Sequence, residues 1–226
     1  MMGAQAVASR RKAFLALALR RARPGSGSAR DFLLARTWKE LPVALDVRRL
    51  ATPCVIVGGV ATALYMPQRL TLDLDLLVAA GDAPALHGEL RALGWVREGD
   101  LTVGGSAWRA PDDDRLAVLE SAEPWVRDAV MNPNRSPAGE PVIALPYLVL
   151  LKLAASRAQD LADVSRMLGA ADDAALADVR RAVQAYRPED SADLESLIAL
   201  GRLELAAGGP TGTDAGTERP ERESDT

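Results

Sequence analysis

The sequence predicts an α+β fold, with a small mixed sheet flanked by helices and a helical C-terminal part. Three observations carry that expectation. Two compact apolar runs, residues 54–57 and 72–78, read as buried strands separated by a short helical segment. Two further strand-like runs, 101–109 and 115–120, are joined by the turn-rich Pro111-Asp112-Asp113-Asp114. From Pro146 onward the pattern is helical only, over roughly 146–168, 172–186 and 189–206. Strands that come first and helices that follow predict an α+β arrangement rather than a parallel α/β one.

The elements follow in order. The first 28 residues form a basic leader, separated from the rest by Gly25-Ser26-Gly27-Ser28, a flexible linker by composition, and are expected to be disordered. Residues 1–50 hold eleven Lys or Arg against three acids, which reads either as a nucleic-acid arm or as a solvated leader. A signal peptide fits poorly, because Arg20-Arg21 closes the apolar run 14–19 and no small-residue cleavage site follows. Helical spacing of Phe32, Leu33, Trp38 and Leu41 predicts a helix within 29–50. Residues 60–66 suit a helix stopped by Pro67, and Pro84 opens a helix that Gly94 ends. A short helix over 124–131 leads into a Pro- and Asn-rich loop, 132–141. The expected domains are the leader, an αβ core over 29–145, a helical region over 146–207, and a disordered acidic tail over 208–226.

Composition limits the chemistry. The 226-residue chain is 48% hydrophobic and 26% charged, with a net charge of −4, ordinary values for a water-soluble domain. No apolar run reaches the roughly 18 residues that span a bilayer, so a cytoplasmic protein is expected. Cys54 is the only cysteine and His87 the only histidine, so there is no intrachain disulfide and no Cys/His zinc site. Cys54 reads as a small buried apolar residue, and His87, beside Glu89 and Arg91, as a surface histidine. Chemistry therefore falls to carboxylates, Lys, Arg, Ser or Thr.

The informative stretch is 55–78. Val57-Gly58-Gly59 ends a strand where a helix begins, and glycine there lets backbone N–H groups approach an anion. Asp73-Leu74-Asp75 follows; on a strand, residues i and i+2 share a face, so the two carboxylates stand side by side. Two close carboxylates repel, and a divalent cation resolves the conflict; hard oxygen donors suit Mg²⁺. Arg69 either neutralises this pair or meets a triphosphate bidentately. A bare Gly-Gly turn is often only a connector. Free charges in a strand of Leu and Val nevertheless cost several kcal/mol unpaired.

The string Val57-Gly58-Gly59, thirteen residues, Asp73-Leu74-Asp75 resembles the signature of the polymerase-β-like nucleotidyltransferase superfamily. With Arg69 and Thr71 included, it is similar to the bacterial AbiEii-type nucleotidyltransferases. Lys152, Ala155, Arg157, Asp160 and Asp163 look like that family's helical motif, and on one helix Lys152, Asp160 and Asp163 would share a face. The resemblance covers roughly residues 50–170. It implies nucleotidyl transfer from an NTP to a hydroxyl, with Asp73 and Asp75 on Mg²⁺, Gly58 and Gly59 at the phosphates, and Arg69 and Lys152 offsetting their charge. It further implies RNA, such as tRNA, as an acceptor and a cognate antitoxin as a partner. The chain departs from the family at Ala117, where a third carboxylate belongs; Glu120 replaces it only if a bulge intervenes. Without that acid, the alternative is a non-catalytic nucleotide-binding module.

Overall fold

A computed structural model describes residues 2–24, 41, 43–66 and 73–206. Its backbone elements, in chain order, are α1 (Met2–Arg21), β1 (Cys54–Val57), α2 (Gly58–Thr62), β2 (Leu74–Ala79), α3 (Ala83–Ala92), β3 (Val96–Asp100), β4 (Gly105–Arg109) and β5 (Arg115–Ser121). Then come α4 (Val126–Met131), β6 (Asn134–Arg135), β7 (Pro141–Val142), α5 (Leu145–Ala155), α6 (Ala158–Gly169), α7 (Asp173–Tyr186) and α8 (Ser191–Leu205). Among the described residues the strands form one mixed seven-stranded sheet, in the order β3-β4-β5-β2-β1-β7-β6. The fold is α+β. No helix among the described residues is long and apolar enough to cross a membrane.

β1 sits near the middle of the sheet, and all four of its residues are buried, so both faces of the sheet are covered there. Cys54 belongs to this core, and burial, with the charge of Glu89 adding to it, pushes its thiol up to about 12. β1 pairs antiparallel with β2, and β2 pairs parallel with β5 without any shift of register from Leu74↔Leu116 to Ala79↔Ser121. Side chains directly opposite in a ladder share a face, so this register fixes which groups can meet.

Several expectations need correction. Residues 43–50 are not α-helical; Asp46 accepts the Arg48 N–H at 3.2 Å and caps a single 3-10 turn, Val47–Arg49. The rest of the helix expected over 29–50 lies mostly outside the described residues. β4 begins at Gly105 rather than 101, because Leu101 to Gly105 closes a turn in which Gly104 and Gly105 take φ of +90° and +117°. β3 is a strand the sequence pattern does not show, and most of its residues are exposed. The loop expected over 132–141 contains β6 and the start of β7. The helix expected over 146–168 is two helices, broken at Ser156, which takes φ +51°.

The largest correction is the leader. Residues 2–21 form a helix, not a disordered arm, and it packs on α8. Arg11 and Leu15 are buried. The Arg11 guanidinium pairs with Asp190 and, at 2.6 Å, with Asp193. Burial opposes its charge, but these two carboxylates still raise its pKa above the usual arginine value. α8 in turn crosses α6 at two glycines. A Cβ on Gly201 would lie 1.9 Å from the Ser165 carbonyl oxygen, so only glycine permits this crossing.

Removing residues 1–24 strips Asp193 of its cation and uncovers the face of α8 on which α1 packs. The expected loss is about 3–5 kcal/mol of unfolding free energy. Urea denaturation of the shortened chain measures it, and a loss within error would mean that α1 does not dock.

Candidate active site at the Gly58–Asp75 contact

β1 ends at Val57, directly opposite Asp75 on β2. The chain turns at once into α2 through Gly58, whose φ of +65° is costly for any residue with a side chain. The space explains the glycine further. A Cβ at position 58 would lie 1.8 Å from Asp75 Oδ2, so the carboxylate fills the place of the missing side chain. The Gly-Gly turn and the second aspartate are therefore one contact. Gly59 is exposed, and its carbonyl accepts the Thr62 hydroxyl at 2.5 Å.

Asp73, just before β2, is exposed, and Asp75 is half-buried. Burial first, and the charge of Asp73 second, push the Asp75 carboxyl up to about 6; the charges of Arg157 and Lys152 pull it down. Ala117 of β5 lies directly across from Asp75 and shares its face. Glu120 does not. It pairs across from Val78 on the opposite face, where its Oε1 meets His87 Nε2 at 3.0 Å and accepts the Ser106 hydroxyl at 2.9 Å. No bulge interrupts β2–β5, so Glu120 is not a third acid for Asp73 and Asp75. His87 is likewise not a simple surface residue. Its ring packs 5.1 Å from the Trp108 ring, and the Trp108 indole N–H donates to Ser106 at 2.9 Å.

Lys152 is on α5, and Asp160 and Asp163 are on α6, so the three do not share one helix face. They meet across the break at Ser156. The Lys152 ammonium donates to Asp163 at 2.9 Å and Asp160 at 3.5 Å, all three groups being buried. Lys152 is thus committed to carboxylates and is not available to a triphosphate. Arg157, at the start of α6, bonds Asp160 Oδ2 at 2.7 Å, yet its side chain is 77% exposed. Asp160 chiefly, and Asp75 further off, raise its pKa. Arg157 is thus an exposed cation whose charge, like that of Lys152, lowers the Asp75 carboxyl. Arg69 lies outside the described residues.

The arrangement gives one half-buried carboxylate in contact with a backbone turn, and one exposed carboxylate two residues before it. Among the described residues no group of three or more His, Cys, Asp or Glu gathers as a metal site. Two hard oxygen donors nevertheless fit a Mg²⁺ ion completed by substrate phosphates and water, which is how Mg²⁺ is commonly held.

No protein-family model and no curated protein matches the chain. Among solved structures the chain is similar to the antibiotic-resistance factor ANT(2″)-Ia. With the crystal structure of its complex with adenylyl-2″-tobramycin the TM-score is 0.36 and the identity 19%, over 66% of this chain and 87% of that one. With its solution structure, which reveals substrate-regulated conformation dynamics in that protein, the values are 0.37 and 17%, over 66% and 82%. At these scores neither likeness bears on chemistry, and the site is read from its own residues.

The raised carboxyl of Asp75 gives a pH dependence with a definite sign. An unfolded aspartate ionises near about 3.9, the folded one near 6. Its contribution to stability is therefore present in acid and is lost as pH rises through that window. In thermal melts with EDTA, Asp75→Asn should raise the midpoint at pH 7.5 and leave it unchanged at pH 4. Mg²⁺ should stabilise the parent only above about pH 6, and equal midpoints at all pH values would refute the buried charge.

Proposed function

We propose that the chain transfers a nucleotidyl group from a Mg²⁺-bound NTP to a hydroxyl acceptor. The observation that carries the proposal is the Gly58–Asp75 contact, because it joins the two halves of the Gly-Gly…Asp-x-Asp motif in one place. Asp73 and Asp75 hold Mg²⁺, which supplies charge neutralisation at the phosphates when bound. The N–H groups of Gly58 and Gly59 face the phosphates, and Arg157, with Arg69, offsets their negative charge. Lys152 holds Asp160 and Asp163, and so the start of α6, rather than substrate.

In the reaction the acceptor oxygen forms a bond to the α-phosphorus while the bond to the bridging oxygen breaks, and pyrophosphate leaves with the electron pair. The hydroxyl proton passes to solvent, since position 117 offers no base. An RNA acceptor such as tRNA, and a cognate antitoxin as partner, rest on the family resemblance alone. The second reading, a nucleotide-binding module without turnover, is favoured by one observation: Ala117 faces Asp75 while Glu120 faces away.

Incubation of the protein with each labelled NTP, Mg²⁺ and total RNA separates the readings. Transfer of label that disappears in Asp73→Asn and in Asp75→Asn is the expected result. Each substitution should cost about a hundredfold or more in rate. Binding without transfer in the parent, with transfer appearing in Ala117→Asp, would make the binding module the better description. Absence of both binding and transfer would sink the nucleotide reading.

A further inference from the structure

Arg109 and Arg115 stand directly across from each other where β4 pairs with β5. Like charges in that position repel and cost stability unless an anion answers them. Arg109 is answered: its guanidinium meets Glu98 at 2.6 Å and Asp113 at 3.6 Å. Arg115 is not. Three acids, Asp112, Asp113 and Asp114, come just before it, yet Asp113 turns to Arg109 and Asp114 accepts the Ala44 N–H at 2.8 Å. Among the described residues no carboxylate pairs with Arg115, and the residue is exposed.

The sheet register sets where this cation stands. Residues 115 and 117 are two apart on β5 and so share a face, and Ala117 lies directly across from Asp75. Leu74 pairs with Leu116, so Asp73 and Arg115 each hold the place just before that pair. Adjacent strands lie about 4.8 Å apart, and two residues along a strand span about 6.6 Å. Arg115 is therefore a diagonal neighbour of Asp75, at a separation of about 7–8 Å that long side chains cross. The row running outward from Asp75 is Ala117, Ala107 and Gly99, none larger than alanine. An aspartate at 117 would be a partner for Arg115 on the same strand face; alanine leaves the guanidinium without one.

We propose that Arg115 binds a phosphate of the nucleotide held at Asp73 and Asp75. The proposal rests on the nucleotide reading above and names a further substrate contact for that site. β2 lies between β1 and β5, so the Gly58 turn flanks Asp75 on one side and Arg115 flanks it on the other. A guanidinium presents a planar fork of N–H donors that matches phosphate oxygens bidentately. It also stays charged at every pH at which the protein is folded. A bound phosphate supplies the anion that the opposed pair Arg109 and Arg115 lacks.

The test is calorimetry of the full chain with Mg²⁺ and each of the four NTPs, and with Mg²⁺ and inorganic triphosphate. Arg115→Gln should lower NTP affinity about tenfold or more. A similar loss should appear with inorganic triphosphate, which has neither base nor sugar. Arg115→Lys should fall between parent and Arg115→Gln, since it keeps the charge and loses the fork. Arg109→Gln, on the same face but committed to Glu98, should match the parent. The melting temperature without nucleotide separates a binding role from a structural one. It should hold or rise in Arg115→Gln, because the opposition to Arg109 is relieved. Unchanged NTP affinity, a loss confined to NTP and absent with triphosphate, or a fall in melting temperature overturns the phosphate contact. If Asp75→Asn still loses nucleotide in that case, the aspartate site stands without Arg115. A parent that binds no NTP overturns both.

Discussion

A carboxylate oxygen of Asp75 lies where residue 58 would carry its Cβ, and most of the site follows from that one packing fact. The contact requires β1 to end at Val57, because one more strand residue would move the turn away from Asp75. It requires glycine at 58 twice over, once for the space and once for the φ of +65°. It also places a half-buried carboxylate against backbone rather than against a cation. Partial burial of that charge is a cost that the charges of Arg157 and Lys152 lessen and the rest of the core has to offset. The surrounding strands, with Val55, Ile56, Leu76 and Leu77 fully buried, supply the apolar contacts that hold it in place.

The sheet then sorts polar groups by parity. Alternate residues on β5 face opposite ways, and the unbroken β2–β5 register sends Ala117 to the Asp75 side and Glu120 to the α3 side. On that second side Ser106, His87 and Glu120 sit within hydrogen-bonding distance of one another, in a grouping that superficially suits a nucleophile. The geometry argues otherwise. One ring nitrogen of His87, Nε2, meets both Ser106 and Glu120, so the carboxylate does not orient the ring from its far nitrogen. Ser106 already donates to Glu120 and accepts from Trp108. The cluster satisfies polar groups beneath a helix, and the two faces of one strand carry unrelated chemistry.

What the sequence made legible were the elements with strong local signals. The apolar runs of β1 and β2, the Gly-Gly turn, the paired aspartates and the Pro-opened helix α3 all have causes within a few residues of themselves. β3 was illegible because an edge strand with exposed residues carries no apolar alternation. β6 and β7, two residues each, are too short for any period to show. The elbow at Ser156 hid because α5 and α6 are both helix-forming and neither glycine nor proline marks the break. Arg11 was the deepest omission: within Arg10-Arg11-Lys12 nothing distinguishes the buried cation from its exposed neighbours, and its partners lie 142 to 182 residues away. Motif spacing located the carboxylates, whereas only the fold could say which cations remain free for a ligand.

That last point decides how the positive charges around the site divide their work. Lys152 and Arg11 are buried and each is matched by two carboxylates, Asp160 with Asp163 and Asp190 with Asp193. Buried pairs of this kind add little net stability, since desolvation consumes most of the attraction, but removing one member is severe. Their value lies in fixing where α5, α6, α8 and α1 meet. Arg157 shares Asp160 with Lys152, so two cations answer two carboxylates, and Arg157 is the exposed member of the set. The buried cations build the frame, and Arg157 is the exposed cation at its edge.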